Sequence, residues 1–182
     1  MHGVTYRGEI LRRCNLTLTE NASSTDTEYC YYPIRHCATL QFILLPLYRY
    51  QTNVAGQLSS QVSRTIKDGR YSVVQRMVAD YTSTVARSRN IRASQRIVMN
   101  RIVVSYLECY ILFFVRNSED HARVRSLLST IQRESGWWEE IISARRYGVR
   151  FVEFYHRYGL CLYPITKILE VVKIVINRNP AR

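Results

Sequence analysis

Residues 94–117, SQRIVMNRIVVSYLECYILFFVRN, give the strongest indication of the fold. After Arg101 this segment is apolar apart from Ser105 and Glu108, and a helix that is apolar on nearly all sides is normally buried. Its unbroken apolar part is shorter than the ~20 residues that a bilayer-spanning helix requires. We therefore expect the central helix of an all-α domain, with the other helices packed around it. A membrane hairpin is the alternative, and the short apolar length and Glu108 both count against it.

Length and composition fit a single domain of ordinary size. The chain has 182 residues, enough to bury a core without disulfides or metals, and its four prolines and seven glycines leave room for long helices. The net charge is +12, and most of the basic residues are arginine. Such a charge favours anionic partners, namely nucleic acid, acidic lipid or an acidic peptide. No basic run is dense enough to form an arm, so an ordinary solvated surface explains the charge equally well.

The cysteines indicate a reducing compartment. Their number is odd, no Cys-x-x-Cys pair occurs, and Cys109 falls in the predicted buried helix, where a free thiol acts as a small apolar side chain. Asn-x-Ser/Thr sequons begin at Asn15 and Asn21, but residues 1–10 contain no hydrophobic targeting core. We therefore expect an intracellular protein. The five cysteines are Cys14, Cys30, Cys37, Cys109 and Cys161.

We expect two regions, an N-terminal segment over 1–35 with a short helix and a mobile polar loop, and a helical bundle domain over 36–182. The loop is predicted within residues 15–28, which are rich in Ser, Thr, Asn and acid. Residues 37–50 are strongly apolar, and we interpret them as a buried helix that ends or kinks at Pro46. A short strand is the alternative, because brief apolar runs do not distinguish the two.

Apolar residues at helical spacing predict two helices before the central one. The first is predicted over 51–66 and the second over 71–87, with a stop and turn at 67–70, KDGR. The inward stripes are Val54, Leu58, Val62 and Ile66 in the first helix and Val74, Met77, Val78, Tyr81 and Val85 in the second.

Another helix is predicted directly after the central one. Asn117 or Ser118 can cap it, and the acidic residues 119–120 suit its first turn, where the helix dipole favours negative charge. Residues 137–176 contain the pattern of three more helices, the last with a polar face that argues against a membrane anchor. The inward residues of the helix that ends at residue 133 are Val124, Leu127, Leu128 and Ile131.

The sequence contains no recognisable catalytic motif. The four histidines lack metal-ligand spacing, the glycines are scattered, and neither a Gly-x-Ser-x-Gly elbow nor a paired acid motif occurs. We therefore predict a binding protein without enzymatic activity, metal or cofactor.

Three short segments resemble the motifs of one protein family. Residues 94–98, SQRIV, and 99–103, MNRIV, each resemble NWGRIV, the first homology motif of the Bcl-2 family of apoptosis regulators, although both lack the Trp-Gly. Gly136, Trp137 and Trp138 resemble the second motif, Gly-Gly-Trp at a helix start, with Ser135 in place of the first glycine. The order of these parts over residues 50–148 is similar to small, divergent viral members of herpesvirus type.

This resemblance implies a Bcl-2-like helical bundle around a buried central hydrophobic helix. It also implies an anti-apoptotic regulator that sequesters amphipathic pro-death helices of Bcl-2 family proteins in a surface hydrophobic groove. An arginine at the start of the central helix is expected to bind the partner's aspartate. Arg96 and Arg101 lie on different helix faces, so only one can serve; the longer local match favours Arg101, and the choice stays open. The implied groove residues are Arg101, Arg96, Asn100, Leu58, Val62, Val74, Met77, Val78, Tyr81 and Val104.

The resemblance further implies a host–virus interaction. The expected location is cytoplasmic, at mitochondrial or endoplasmic reticulum membranes without a transmembrane anchor. The charge adds an expectation of peripheral contact with anionic membrane. Two other functions stay open: a secreted helical cytokine, which suits the sequons and the clustered Cys14, Cys30 and Cys37, and a basic nucleic-acid-binding helical module. We rank nucleic acid last because no recognised binding motif occurs, and we expect no small-molecule substrate.

Overall fold

The regular secondary structure is entirely helical in the residues that the structure, a computed structural model, describes, namely 3–20, 22–43, 64–115 and 118–133. No strand occurs in those ranges, which confirms the predicted all-α class for them. The chain divides into two compact units, Met1–Tyr106 and Leu107–Arg182. The helices are α1 (Gly8–Cys14), α2 (Thr25–Tyr31), a 3-10 helix (Tyr32–His36), α3 (Arg64–Asp80), a π-helical turn (Tyr81–Val85), α4 (Ala93–Phe114) and α5 (Ser118–Arg133).

The N-terminal elements are short helices joined by tight turns. α1 buries no side chain, and the residue that follows its last turn is Asn15, whose φ of 45° is left-handed, a conformation that asparagine tolerates. α2 begins at Thr25, inside the segment that the sequence predicts as a loop, and the 3-10 helix follows it with Pro33 in the first turn, where a missing N–H is harmless. α1 and α2 both contact the 3-10 helix, and α2 also contacts α3.

The predicted turn at residues 67–70 is wrong, because α3 runs through it without interruption. A glycine in a helix interior costs only about 1 kcal/mol relative to alanine. Ile66 before Gly69 and Val73 after it are both buried, and their burial outweighs that cost. Packing therefore overrides the local stop signal.

The predicted apolar stripe of the 71–87 segment is confirmed. Its five members are all buried, although the last two lie in the π-helical turn and not in α3. In that turn the Thr82 hydroxyl donates hydrogen bonds to the carbonyls of Val78 and Ala79, both at 3.0 Å, and the Ala86 N–H donates to Tyr81 O at 2.8 Å. The stripe consists of Val74, Met77, Val78, Tyr81 and Val85.

α4 corresponds to the segment that the sequence predicts as the central helix, and its burial is one-sided. Ser105 is exposed and Glu108 is half-buried, and both fall on one stripe of the helix with the exposed Cys109. The prediction that Cys109 is buried is therefore wrong. Two polar residues three positions apart are enough to leave that side of the helix to solvent. The buried side includes Met99, Val103, Tyr106, Leu107, Tyr110, Ile111 and Phe114.

α5 agrees with the prediction in its start and in its buried face. It begins at Ser118 with Glu119 and Asp120 in the first turn, where the helix dipole favours carboxylates. Glu119 also accepts a hydrogen bond from the Arg123 guanidinium one turn later, at 2.7 Å. The predicted inward residues Val124, Leu127, Leu128 and Ile131 are all buried.

The predicted buried helix over 37–50 is wrong for residues 37–43, which form no helix and lie largely at the surface. Its remaining residues, 44–50, lie outside the described part, as do the second homology motif and the helices predicted after residue 133. None of the helices in the described ranges has the length and apolar character needed to cross a membrane.

Leu128 provides a test of the buried face of α5. Because its side chain is fully buried, we expect Leu128→Ala to lower the free energy of unfolding by about 2–5 kcal/mol in chemical denaturation. The exposed Ser126 is the control, and Ser126→Ala should change that free energy by less than about 0.5 kcal/mol. Equal effects of the two substitutions would contradict the assigned face.

Candidate partner-binding surface

One side of the first half of α4 is open to solvent. Ile97 is 50% exposed and Val98 is 41% exposed, although both are large apolar side chains. Ser94, Arg101 and Ser105 are exposed too, and their spacing of three or four residues places all five on one face. We call these five residues the α4 stripe. It places an exposed apolar pair beside a positive charge on one helix face.

The two arginines between which the sequence left the choice open differ in exposure and in contacts. Arg96 is half-buried, its Nη2 donates a hydrogen bond to Ser88 O at 3.0 Å, and its buried Nε has no hydrogen-bond partner among the described residues. Arg101 is exposed and has no hydrogen bond or ion pair to any residue of the described ranges. Arg96 thus holds the loop before α4, whereas Arg101 is exposed, and the choice between them as a binding residue stays a prediction.

Most of the other predicted groove residues that the structure describes are interior. Val74, Met77, Val78 and Tyr81 have almost no exposed surface, and Val104 and Asn100 have little. A groove lined by these side chains would require movement of the elements that now cover them, and their assignment to a groove stays a prediction. Leu58, Val62, Gly136, Trp137 and Trp138 lie outside the described residues.

The start of α4 is attached to the 3-10 helix through the buried side chain of Gln95. Its Nε2 donates hydrogen bonds to the carbonyls of Ile34, Arg35 and Cys37 at 3.2, 3.2 and 2.8 Å, and its Oε1 accepts one from the Arg92 N–H at 2.9 Å. The Arg92 guanidinium donates to the same Cys37 carbonyl at 2.6 Å. These bonds position the first turn of α4, and with it the α4 stripe.

Arg76 of α3 forms an ion pair with a carboxylate that has no contact with solvent. Glu28 of α2 is 0% exposed, and its Oε1 lies 2.9 Å from Arg76 Nη1. The same guanidinium donates to the Thr19 hydroxyl at 2.7 Å and to Thr17 O at 3.1 Å. Glu28 also accepts hydrogen bonds from the Thr19 N–H and hydroxyl at 2.7 and 2.8 Å. A buried carboxylate is tolerable only when it is paired and hydrogen-bonded in this way.

Asp80 makes a second polar contact one helical turn after Arg76. Its Oδ2 accepts hydrogen bonds from the Tyr31 hydroxyl, at 2.8 Å, and from the Arg35 guanidinium. The Tyr32 ring lies 5.7 Å from both the Arg35 and the Arg76 guanidinium carbons, a cation–π distance. We call the Arg76–Glu28 and Asp80–Tyr31–Arg35 contacts the α3 clamp.

Sequence reasoning missed the α3 clamp. Arg76 and Asp80 fall outside the predicted apolar stripe, but their spacing of four residues fits an ordinary solvated helix face as well. Their partners Glu28, Tyr31 and Arg35 are at least 45 residues away along the chain. No local pattern identifies partners at that separation.

The titratable groups of this region suit structure rather than acid–base chemistry. Burial raises the pKa of the thiols of Cys14, Cys30 and Cys37, so these side chains are poor nucleophiles near neutral pH. Within the described residues, none of these three cysteines forms a disulfide. Burial also lowers the pKa of His36. In the part of the chain that the structure describes, no group of histidine, cysteine and carboxylate side chains could hold a metal ion.

Comparison with models of known protein families, with curated proteins and with solved structures finds no match to this chain. The family resemblance therefore depends on the quoted motifs alone.

The α3 clamp predicts that substitution of Arg76, although its side chain is partly exposed, strongly destabilises the protein. Because Arg76→Ala leaves the buried carboxyl group of Glu28 without its charged partner, we expect it to lower the free energy of unfolding by roughly 2–4 kcal/mol, less than for a fully buried pair since Arg76 is half-exposed. Arg64 of the same helix, which lies 3.8 Å from Asp68 at the surface, is the control. Arg64→Ala should cost less than about 0.5 kcal/mol in the same denaturation assay.

A double-mutant cycle sharpens that test. If Glu28→Gln is added to Arg76→Ala, the combined loss should be clearly smaller than the sum of the two single losses, because the buried charge is then gone. Additive losses would show that the pair is not coupled.

Tyr31 predicts a dependence of stability on alkaline pH. Burial and the neighbouring Asp80 raise the pKa of Tyr31 above its ordinary value of 10.0. Above that pH the unfolded chain releases the Tyr31 proton while the folded chain keeps it, so stability falls as pH rises. Above pH about 10, Tyr31→Phe should make the fall of the unfolding free energy with pH less steep, by an amount that corresponds to at most one proton. Denaturation at a series of alkaline pH values measures this slope, and an unchanged slope would contradict the assignment.

Proposed function

We propose that this protein is an anti-apoptotic regulator with a Bcl-2-like helical bundle, which binds amphipathic pro-death helices of Bcl-2 family proteins. The observation that carries the proposal is the exposed Arg101, unpaired within the described ranges, beside Ile97 and Val98 on α4. The all-helical described part and the MNRIV motif that contains Arg101 support it. In this proposal the protein works by sequestration and catalyses no reaction.

The binding mechanism follows from the composition of the α4 stripe. An amphipathic helix places apolar side chains on one face, and these can cover Ile97 and Val98, which now expose roughly half of their surface. An aspartate on the partner helix can accept two hydrogen bonds from the planar Arg101 guanidinium. Since Arg101 has no hydrogen bond or ion pair among the described residues, no such interaction has to be broken there before the partner binds.

The electrostatics of the chain also favour such a partner. The net charge of +12 attracts a peptide with exposed carboxylates and accelerates the encounter. Several exposed arginines could bind a carboxylate of the partner. In our proposal Arg101 is preferred, because Ile97 and Val98 beside it also contact the apolar face of the partner helix. We propose that this sequestration takes place at mitochondrial or endoplasmic reticulum membranes, as part of a host–virus interaction.

Isothermal titration with pro-death peptides of about 20–26 residues tests the proposal. Arg101→Ala should weaken binding more than tenfold, since removing one partner of a desolvated charge pair costs about 2–5 kcal/mol. Arg125, exposed on α5, is the matched control, and Arg125→Ala should leave the affinity unchanged. Replacing the peptide's aspartate by alanine should reproduce the effect of Arg101→Ala, and combining both changes should add little more.

Two results would overturn the proposal. One is the absence of binding below the high micromolar range by a folded, monodisperse sample for every peptide of the panel. The other is binding that is insensitive to Arg101→Ala but weakened by Arg96→Ala, which would move the charge site to the first candidate motif.

A further inference from the structure

A second exposed apolar feature lies at the end of the 3-10 helix. Leu40 is 76% exposed, Phe42 is 84% exposed and Ile43 is 60% exposed. Three large apolar side chains within four residues are unusual on a protein surface unless they contact a partner. We call residues 38–43 the apolar segment; it contains none of the residues of the α4 stripe.

The apolar segment begins at a point that several hydrogen bonds hold in place. The Cys37 carbonyl accepts hydrogen bonds from both Gln95 Nε2 and the Arg92 guanidinium, at 2.8 and 2.6 Å. The Cys37 thiol donates a hydrogen bond to Pro33 O at 3.4 Å. The base of the segment is therefore fixed next to the first turn of α4, and the large exposed apolar side chains begin three residues later, at Leu40.

The two stretches of sequence that meet at this point are basic and contain no acidic residue. The sequence has no Asp or Glu between Glu28 and Asp68, and none between Asp80 and Glu108. Glu28 and Asp80, the acids that bound these intervals on the N-terminal side, are neutralised in the α3 clamp by Arg76 and Arg35. Arg92 and Arg89 are exposed, and Arg89 has no hydrogen bond or ion pair within the described part of the chain.

We propose that the apolar segment inserts into the surface of an anionic lipid bilayer while Arg89 and Arg92 contact the lipid headgroups. Exposed Leu, Ile and Phe side chains gain free energy when they enter the boundary between headgroups and acyl chains. Exposed arginines just before α4, whose first turn holds the base of the segment, gain from the negative surface potential of acidic lipids. The phosphates of a nucleic acid could also bind the arginines, but a nucleic acid offers no apolar environment to the side chains of Leu40 and Ile43.

Sedimentation of the full chain with vesicles tests this inference. We expect binding to vesicles of phosphatidylserine and phosphatidylcholine in equal amounts, and much weaker binding to phosphatidylcholine alone. Phe42→Ser should lower the partition coefficient at least about tenfold through the lost apolar contact. Arg89→Gln should lower it about fivefold through the lost charge. Arg92 is less suitable, because its substitution also removes the bond to Cys37.

Matched controls separate the segment from the overall charge. Leu18→Ser removes an apolar side chain that is also exposed, and Arg125→Gln removes an exposed positive charge from α5; neither should change the partition coefficient. All four sites are at the surface, and circular dichroism checks that each variant is folded. Leu40→Ser repeats the apolar test if Phe42→Ser does not fold.

Three outcomes would overturn the inference. Equal binding to neutral and acidic vesicles would show that the arginines do not contribute to binding. Undiminished binding by folded Phe42→Ser would show that the apolar segment does not insert. Retention on DNA that Arg89→Gln weakens and Phe42→Ser leaves intact, without vesicle binding, would identify nucleic acid as the partner. Because the test involves neither Arg101 nor a peptide, its result is independent of the proposed helix-binding function.

Discussion

The buried carboxylate of Glu28 is the constraint on which the N-terminal unit depends. A charge without solvent contact has to be compensated, and Arg76 of α3 compensates it together with the N–H and hydroxyl of Thr19. One turn later Asp80 binds Tyr31 and Arg35. Two side chains of a single helix therefore fix α2 and the 3-10 helix, and they do so with contacts that require charge as well as shape.

The position of the 3-10 helix determines where α4 begins in space. The carbonyls of Ile34, Arg35 and Cys37 are the acceptors for Gln95, so the first turn of α4 is placed by the same elements that the α3 clamp holds. The α4 stripe and the apolar segment both begin at this junction. The hydrogen bonds of the α3 clamp and of Gln95 thus position the two elements that carry the exposed apolar side chains.

The α4 stripe and the apolar segment both combine exposed apolar side chains with arginine, but they suit different partners. Ile97 and Val98 lie on α4 beside Arg101, which has no ion pair among the described residues, and in our proposal this suits an amphipathic helix with one carboxylate. Leu40 and Phe42 stand on an irregular segment in an acid-free part of the chain, which suits the diffuse negative charge of a lipid surface. Binding to a membrane would bring the protein to the location where we propose that it meets its helical partners.

The sequence by itself determined the features that repeat along one helix. The stripe from Val74 to Val85 and the acidic first turn and buried face of α5 follow from spacing and from the helix dipole, which are local properties. Only the tertiary structure decided that α3 passes through Gly69, that Cys109 is exposed, and that Arg101 is exposed while Arg96 is half-buried and bonded to Ser88. The α3 clamp belongs to the same class, because its partners are separated by 45 to 49 residues. Local propensity changes the free energy by about 1 kcal/mol per residue, whereas burial and the pairing of a buried charge contribute several, so long-range contacts decide wherever the two disagree.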